Sequence, residues 1–155
     1  MSHRNHQAPA RLYTALAGLL LLLAGAPALA QQAEDIGEFR VHYNTMNTAQ
    51  LQPDVASAYG IQRAGNRALI NIAVLRKGDE DMDEPARASV QVQSRNLAGQ
   101  RRDIEMREVE DQGAIYYIGS FRIADEETLN FQVEVQPEGE ARPSEFSFRQ
   151  QFYIH

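Results

Sequence analysis

Alternation of apolar and polar residues in short runs constrains the fold of this chain more than any other feature. In TLNFQVEVQ, Leu129, Phe131 and Val133 alternate with polar residues. A strand points successive side chains to opposite faces, so this period of two is typical of a half-buried β-strand. Six further runs also predict strands: EFRVHY, ALINIAVL, ASVQVQ, RRDIEMREV, AIYYIGSFRI and EFSFRQQFYI.

Two of these runs, ALINIAVL and AIYYIGSFRI, are apolar on both faces and therefore predict central strands, the second with a bend or bulge at Gly119. Segments rich in turn-forming residues separate the runs: KGD, NLAGQ, DQG, ADEE and PEGEARP. Seven strands with such breaks predict an all-β, antiparallel, immunoglobulin-like β-sandwich. A small β-barrel is the alternative.

The first 30 residues have the features of a secretory signal peptide. A polar segment with Arg4 and Arg11 precedes the apolar run LYTALAGLLLLLAGAP, and Ala-Leu-Ala ends at Ala30. This order predicts cleavage after Ala30 and export to the periplasm. A membrane anchor would need about 20 apolar residues, more than this run contains. The sequence thus predicts a flexible mature N-terminus, 31–36, and one β-sandwich domain, 37–155, with no stable membrane insertion after cleavage.

Composition excludes several kinds of function. The chain has no cysteine, which rules out disulfides, thiol catalysis and thiolate metal sites. The leader holds two of the 15 basic residues and none of the 21 acidic ones, so the mature chain carries a net charge of −8. Nucleic acids and anionic lipids favour basic surfaces, so this charge argues against either as the main partner.

The acidic run RKGDEDMDEP raises the question of a calcium site. Asp79, Asp81 and Asp83 alternate as the first ligands of a helix-flanked calcium loop do. Such a loop needs glycine at position 6 and glutamate at position 12, where this chain has Glu84 and Val90. The run therefore predicts a solvated hairpin tip. Neither a metal site nor a cofactor is predicted.

Residues suited to catalysis are scarce. His42 and His155 are the two histidines that follow the leader, and neither Ser57 nor Ser120 lies in a G-x-S-x-G turn. A catalytic carboxylic acid should be partly buried so that its pKa shifts, whereas these carboxylates fall on polar faces and in turns and are predicted to be solvated. These features predict a protein that is not an enzyme, with a hydrolase that uses His42 as a remote alternative.

A polar and aromatic segment at the end of the first strand is the predicted binding site. HYNTMN contains His42, Tyr43, Asn44 and Asn47, whose side chains offer contact area and hydrogen bonds to a peptide or sugar. Packing of the tyrosine and turn formation by the asparagines are the structural alternatives. The long connection that follows, 44–67, is either an ordered site or a crossover between the sheets.

The chain contains five phrases that are specific as a set: VHYNTMNTAQLQPDVASAYGIQR, ALINIAVL, NLAGQ, AIYYI and FYIH. Together they resemble the family catalogued as domain of unknown function 4426, which consists of small exported proteins of Gram-negative bacteria. The resemblance implies one periplasmic domain and assigns no site residues. We therefore expect a noncatalytic binding or adaptor domain that contacts another envelope protein through the 42–66 region or a sheet edge. The alternative is a small-molecule or metal-ion binding protein anchored by His42.

Overall fold

The computed structural model describes residues 32–154, in which ten antiparallel strands form two packed sheets. The strands are β1 (Gln32–Ile36), β2 (Phe39–Asn47), β3 (Arg67–Arg76), β4 (Glu84–Pro85), β5 (Ala88–Asn96), β6 (Arg101–Ile104), β7 (Arg107–Asp111), β8 (Ala114–Arg122), β9 (Glu127–Pro137) and β10 (Ser144–Phe152). One α-helix, α1 (Pro53–Ala58), and two 3-10 turns, Thr48–Gln50 and Asp79–Asp81, complete the described part. The predicted signal peptide and His155 lie outside these residues.

The two sheets have different strand orders. Sheet A runs β1-β2-β3-β8-β7, with β4 beside the end of β3, and sheet B runs β10-β9-β5-β6. All pairings between neighbours are antiparallel. The prediction of an all-β, immunoglobulin-like sandwich is confirmed, although the described residues form ten strands rather than seven.

One additional strand lies at the chain's N-terminal side. Residues 32–36, predicted to be a flexible N-terminus, form β1 and pair with β2 from Gln32 opposite Tyr43 to Ile36 opposite Phe39. Four of the five β1 residues are exposed, so this strand carries no apolar alternation. Its backbone hydrogen bonds to β2 hold it, and a side-chain pattern does not reveal such bonds.

A second difference arises because the run 101–109 divides into β6 of sheet B and β7 of sheet A. The chain changes sheets at Glu105 and Met106, directly over Gly119 of β8. A methyl group at Gly119 would lie 2.6 Å from Met106 Sδ and 2.7 Å from the Glu105 carbonyl oxygen. The glycine predicted to mark a bend therefore permits close approach of another chain segment.

Aromatic side chains fill the space between the sheets. Tyr43 of β2 packs on Phe146 and Phe148 of β10, with ring centroids 4.9 and 4.6 Å apart. Phe131 of β9 stacks on Phe148 at 4.8 Å and contacts Phe121 of β8 edge-on at 5.5 Å. The inward positions read from the alternation of these strands are confirmed.

The long connection covers the outer face of sheet A. It joins β2 to β3, which are neighbours in one sheet (Asn47 opposite Ala68), so of the two alternatives the crossover between sheets does not occur. Buried Leu69, Tyr116 and Ile118 form a second apolar cluster on the outer face, and Tyr59 and other residues of the connection pack against it. Because β3 and β8 are apolar on both faces, sheet A needs this second cover.

Candidate functional site

The structure separates the four predicted binding residues. Tyr43 points into the core and is 8% exposed, whereas His42 and Asn44 lie half-buried on the outer face of sheet A. Asn47 caps the turn that follows, where its Oδ1 accepts a hydrogen bond from the Ala49 N–H at 2.9 Å. Its Nδ2 donates to the Gly65 carbonyl at 2.9 Å and so fastens the connection. Tyr43 and Asn47 thus have the structural contacts that the alternative reading describes.

His42 has an unusual environment. Its Nδ1 is buried and has no hydrogen-bond partner among the described residues. Burial lowers the pKa of His42, and the charge of Arg40 lowers it further, while Asp83 and Asp35 oppose this effect. The lowered pKa favours the neutral imidazole over the charged one. Binding by His42 and Asn44 stays a prediction.

The acidic run forms the turn between β3 and β4. Asp83 folds back from the tip: its Oδ2 accepts a hydrogen bond from Arg40 Nη1 at 3.1 Å, and its Oδ1 accepts one from the Gly78 N–H at 3.3 Å. Among the side chains that the structure describes, which do not include that of Asp81, no three His, Cys, Asp or Glu residues group as metal ligands would.

A cleft of about 350 Å³ opens on the outer face of sheet A. The connection forms one wall, Glu105 and the start of β7 form another, and β3 and β8 form the floor. The lining residues are Gly60, Ile61, Arg67, Leu69, Glu105, Arg107, Ile118, Gly119 and Ser120. An apolar floor with a few convergent polar groups is the usual composition of a binding cleft.

Two guanidinium groups give the cleft its chemistry. Arg67 Nη2 donates to Ser120 Oγ at 2.8 Å, while Arg67 Nε is buried without a partner among the described residues. Arg107 Nη2 donates to the Tyr59 carbonyl oxygen. Neither arginine forms an ion pair with a described side chain, although Glu105 also lines the cleft. Planar guanidinium donors match carboxylates and phosphates, so the cleft can hold an anionic group.

Tyr59 fixes the wall of the cleft to the sheet. Its hydroxyl donates a hydrogen bond to Asp111 Oδ2 at 2.7 Å. Burial, together with this bond and the charge of Asp111, raises the pKa of Tyr59 to about 12. The phenol therefore keeps its proton at every physiological pH and continues to hold the connection in place.

Sequence reasoning did not identify Arg67 or Arg107. They are 40 positions apart, and each occupies an unremarkable polar position at the start of a strand. The pairing of Asn71 with Ile118, and of Ile118 with Arg107, places β3, β8 and β7 side by side and brings the two arginines to one cleft. No signal in the sequence encodes that strand order.

Comparison with known proteins identifies the family. Residues 33–155 match the family described as Domain of unknown function (DUF4426). The chain belongs to this family. It is 35% identical to a DUF4426 family protein from Pseudomonas aeruginosa PAO1, with a TM-score of 0.70 over 81% of this chain and 96% of that one. No curated protein matches the chain.

Two structures of FetP from uropathogenic E. coli strain F11 share the fold of this DUF4426 chain. Each is 9% identical, with TM-scores of 0.58 and 0.57 over 81% of this chain and 95% and 97% of FetP. One is FetP as isolated after expression in the periplasm, and the other is a copper-bound variant. At this identity the likeness shows the fold alone. The described part of the chain contains no helix that could cross a bilayer.

Proposed function

We propose that this DUF4426 protein is a noncatalytic binding domain of the bacterial periplasm. Its cleft between Arg67 and Arg107 receives a carboxylate group of another envelope protein. The predicted signal peptide, the family and a fold shared with a protein expressed in the periplasm support the location. The chemistry of the cleft supports the kind of ligand.

The observation that carries this proposal is the unpartnered Nε–H of Arg67. A buried donor without a partner costs about 1–3 kcal/mol, so folded proteins rarely keep one unless something else binds to it. A carboxylate can accept two parallel hydrogen bonds from one guanidinium edge, which would satisfy this donor. Arg107 and Ser120 supply further donors around the same cleft.

The cleft favours binding over reaction. Ser120 is the one hydroxyl among the lining residues, and no histidine or cysteine lies with it. Its oxygen already accepts a hydrogen bond from Arg67. A serine nucleophile needs a base hydrogen-bonded to it, and the usual histidine is missing from these lining residues. Glu105 is the one carboxylate among them, and the side-chain hydrogen bond to Ser120 comes from Arg67 instead.

Arg67→Gln is expected to weaken carboxylate binding about 10–100-fold, the effect of losing about 1.5–3 kcal/mol of charge-assisted hydrogen bonding. The probe is an acetylated tripeptide with a free terminal carboxylate, titrated into the ¹⁵N-labelled mature chain. We expect the amide signals of Ile61 and Ser120 to shift in the wild type, and the amidated tripeptide to cause little shift.

Arg142→Gln is the matched control, because Arg142 is exposed and lies in the turn before β10, outside the cleft. Equal affinities of the wild type and Arg67→Gln would contradict the proposal.

A photoreactive residue at Ile61 then tests the partner: it should capture one envelope protein, and Arg67→Gln should abolish the capture. The same residue at Gln132, on the outer face of sheet B, should capture no single partner.

Metal binding at His42 is the second candidate. The unpartnered Nδ1 of His42 favours it. A FetP variant that shares this fold is known in a copper-bound form. If His42 anchors a metal, Cu²⁺ should raise the Tm of the wild type and leave the Tm of His42→Ala unchanged, because binding to the native state alone stabilises it. An equal rise in both proteins would mean that copper binds elsewhere.

A further inference from the structure

Five arginines gather at one end of the sandwich, where β3 and β6 begin and β5 and β8 end. They are Arg67, Arg95, Arg101, Arg102 and Arg122, and this group is named the arginine end. Arg67 lies directly opposite Arg122 in sheet A, and Arg95 lies directly opposite Arg101 in sheet B. Arg102 joins the two sheets, because its Nη1 donates to the Arg122 carbonyl at 2.8 Å.

The arginine end is not neutralised within the described part of the chain. None of its five side chains forms an ion pair with a described side chain; the ion pairs there involve Arg40, Arg76, Lys77 and Arg87, toward the opposite end. Like charges directly opposite each other destabilise a sheet. The two pairs lie on the outer faces of the two sheets at this end, and an anionic partner would relieve the repulsion within each pair.

Exposed apolar side chains lie at the same end. Leu97, in the turn between β5 and β6, is 73% exposed, and Tyr153 and Ile154, just after β10, are 47% and 37% exposed. The register places Asn96 opposite Leu129, and Leu129 opposite Gln150. The turn that contains Leu97 and the residues after β10 therefore leave sheet B at the same end of its strands. Met82, the remaining exposed large apolar side chain of residues 32–154, lies at the opposite end.

Three acidic residues of this end lie in the turn between β8 and β9, and hydrogen bonds with the backbone hold two of them. Asp125 Oδ1 accepts hydrogen bonds from the Ile154 and Glu126 N–H groups at 2.9 and 3.1 Å. Glu127 Oε2 accepts one from the Ala124 N–H at 2.9 Å. Glu126 is the third acidic residue of this turn, and Asp103 of β6 and Glu105 of the cleft bring the nearby carboxylates to five. Arg149 lies level with Arg95, because both residues pair with Asn130, and is a sixth arginine beside the five.

We propose that the arginine end docks on the anionic phospholipid surface of an envelope membrane. The arginines contact lipid phosphates, and Leu97 and Tyr153 enter the boundary between headgroups and acyl chains. A lipid surface offers both anionic and apolar contacts, whereas an acidic polypeptide would offer no apolar contact to Leu97. The net charge of −8 argues against binding to anionic lipid. The structure nevertheless concentrates arginines at one end, and a membrane surface responds to that local charge.

The test uses the mature chain and two kinds of vesicle, phosphatidylcholine alone and phosphatidylcholine with about one third phosphatidylglycerol, in a sedimentation assay. We expect binding to the anionic vesicles alone, decreasing as salt rises because the interaction is screened. The double variant Arg95→Gln/Arg101→Gln should lower the partition coefficient about 25-fold, at roughly fivefold for each charge near an anionic surface. Leu97→Ser should lower it several-fold with all charges kept.

The control double variant, Lys77→Gln/Arg142→Gln, removes the same net charge away from the arginine end and should bind like the wild type. Removing Arg95 and Arg101 also removes like-charge repulsion, so that variant should fold with an unchanged or higher Tm.

Absent or equal binding to both vesicles, or equal losses in the two double variants, would overturn the proposal. Binding of polyglutamate that requires Arg95 and Arg101, without vesicle binding, would assign this surface to an acidic polypeptide instead. None of these variants alters Arg67 or Arg107, so the outcome is independent of the cleft.

Discussion

Replacement of Phe131 by alanine is expected to lower the free energy of unfolding by about 3–5 kcal/mol. Phe131 is 1% exposed and lies in β9, inside sheet B. Its ring contacts three other phenylalanines, with centroids 4.8 Å from Phe148, 5.5 Å from Phe121 and 6.1 Å from Phe152. Two sheets joined by several connections cannot approach each other to fill the resulting space, so a cavity remains.

Equilibrium urea unfolding followed by far-UV circular dichroism measures this loss, since the chain has no tryptophan for fluorescence. The matched control is Gln132→Ala, the next residue of β9, which is exposed and points away from the core. That substitution should change stability by less than about 0.5 kcal/mol. A loss below about 1.5 kcal/mol in Phe131→Ala would show that the core tolerates rearrangement around this ring.

Gly119→Ala is expected to cost about 1–3 kcal/mol, the usual effect of adding a methyl group where no space exists. The new Cβ would lie 2.7 Å from the Glu105 carbonyl oxygen and 2.6 Å from Met106 Sδ. Met106 can change its rotamer, but the carbonyl belongs to the backbone that carries the chain from β6 to β7. The substitution should therefore strain the link between the two sheets.

A double-mutant cycle with Met106→Ala separates these two contacts. If the sulfur causes most of the cost, Gly119→Ala should be nearly neutral in the Met106→Ala background. If the carbonyl causes it, the penalty should persist there. Urea unfolding of all four proteins supplies the comparison, and a penalty below 0.5 kcal/mol in both backgrounds would refute the close packing at Gly119.

The candidate sites show where reasoning from sequence ends. HYNTMN predicted a binding site because its polar and aromatic residues are adjacent in the chain. In a strand, however, adjacent residues point to opposite faces. Tyr43 is consequently in the core while His42 and Asn44 are outside. The cleft arginines gave no such signal, because Arg67 and Arg107 meet through the pairing of β3 with β8 and of β8 with β7.

Charge shows the same limit. The acidic composition correctly describes residues 31–155 as a whole, but it carries no information about position. Arg95 and Arg101 are six residues apart and become direct neighbours because a hairpin returns the chain antiparallel to itself. Arg67 and Arg122 are 55 residues apart and become neighbours when β8 pairs with β3. Segregation of charge is thus a property of the fold.

The sequence by itself determined the class of fold, most strands and which of their side chains face inward, because strand geometry is local and its period of two appears directly in the residues. Phe131 and Val133 were assigned to the core on that basis and are buried there. Only the tertiary structure decided the strand order, the division of 101–109 between two sheets and the placement of the long connection over sheet A. These depend on pairings between residues far apart in the chain, whose backbone hydrogen bonds are alike for nearly all residue types and so leave no pattern in the sequence.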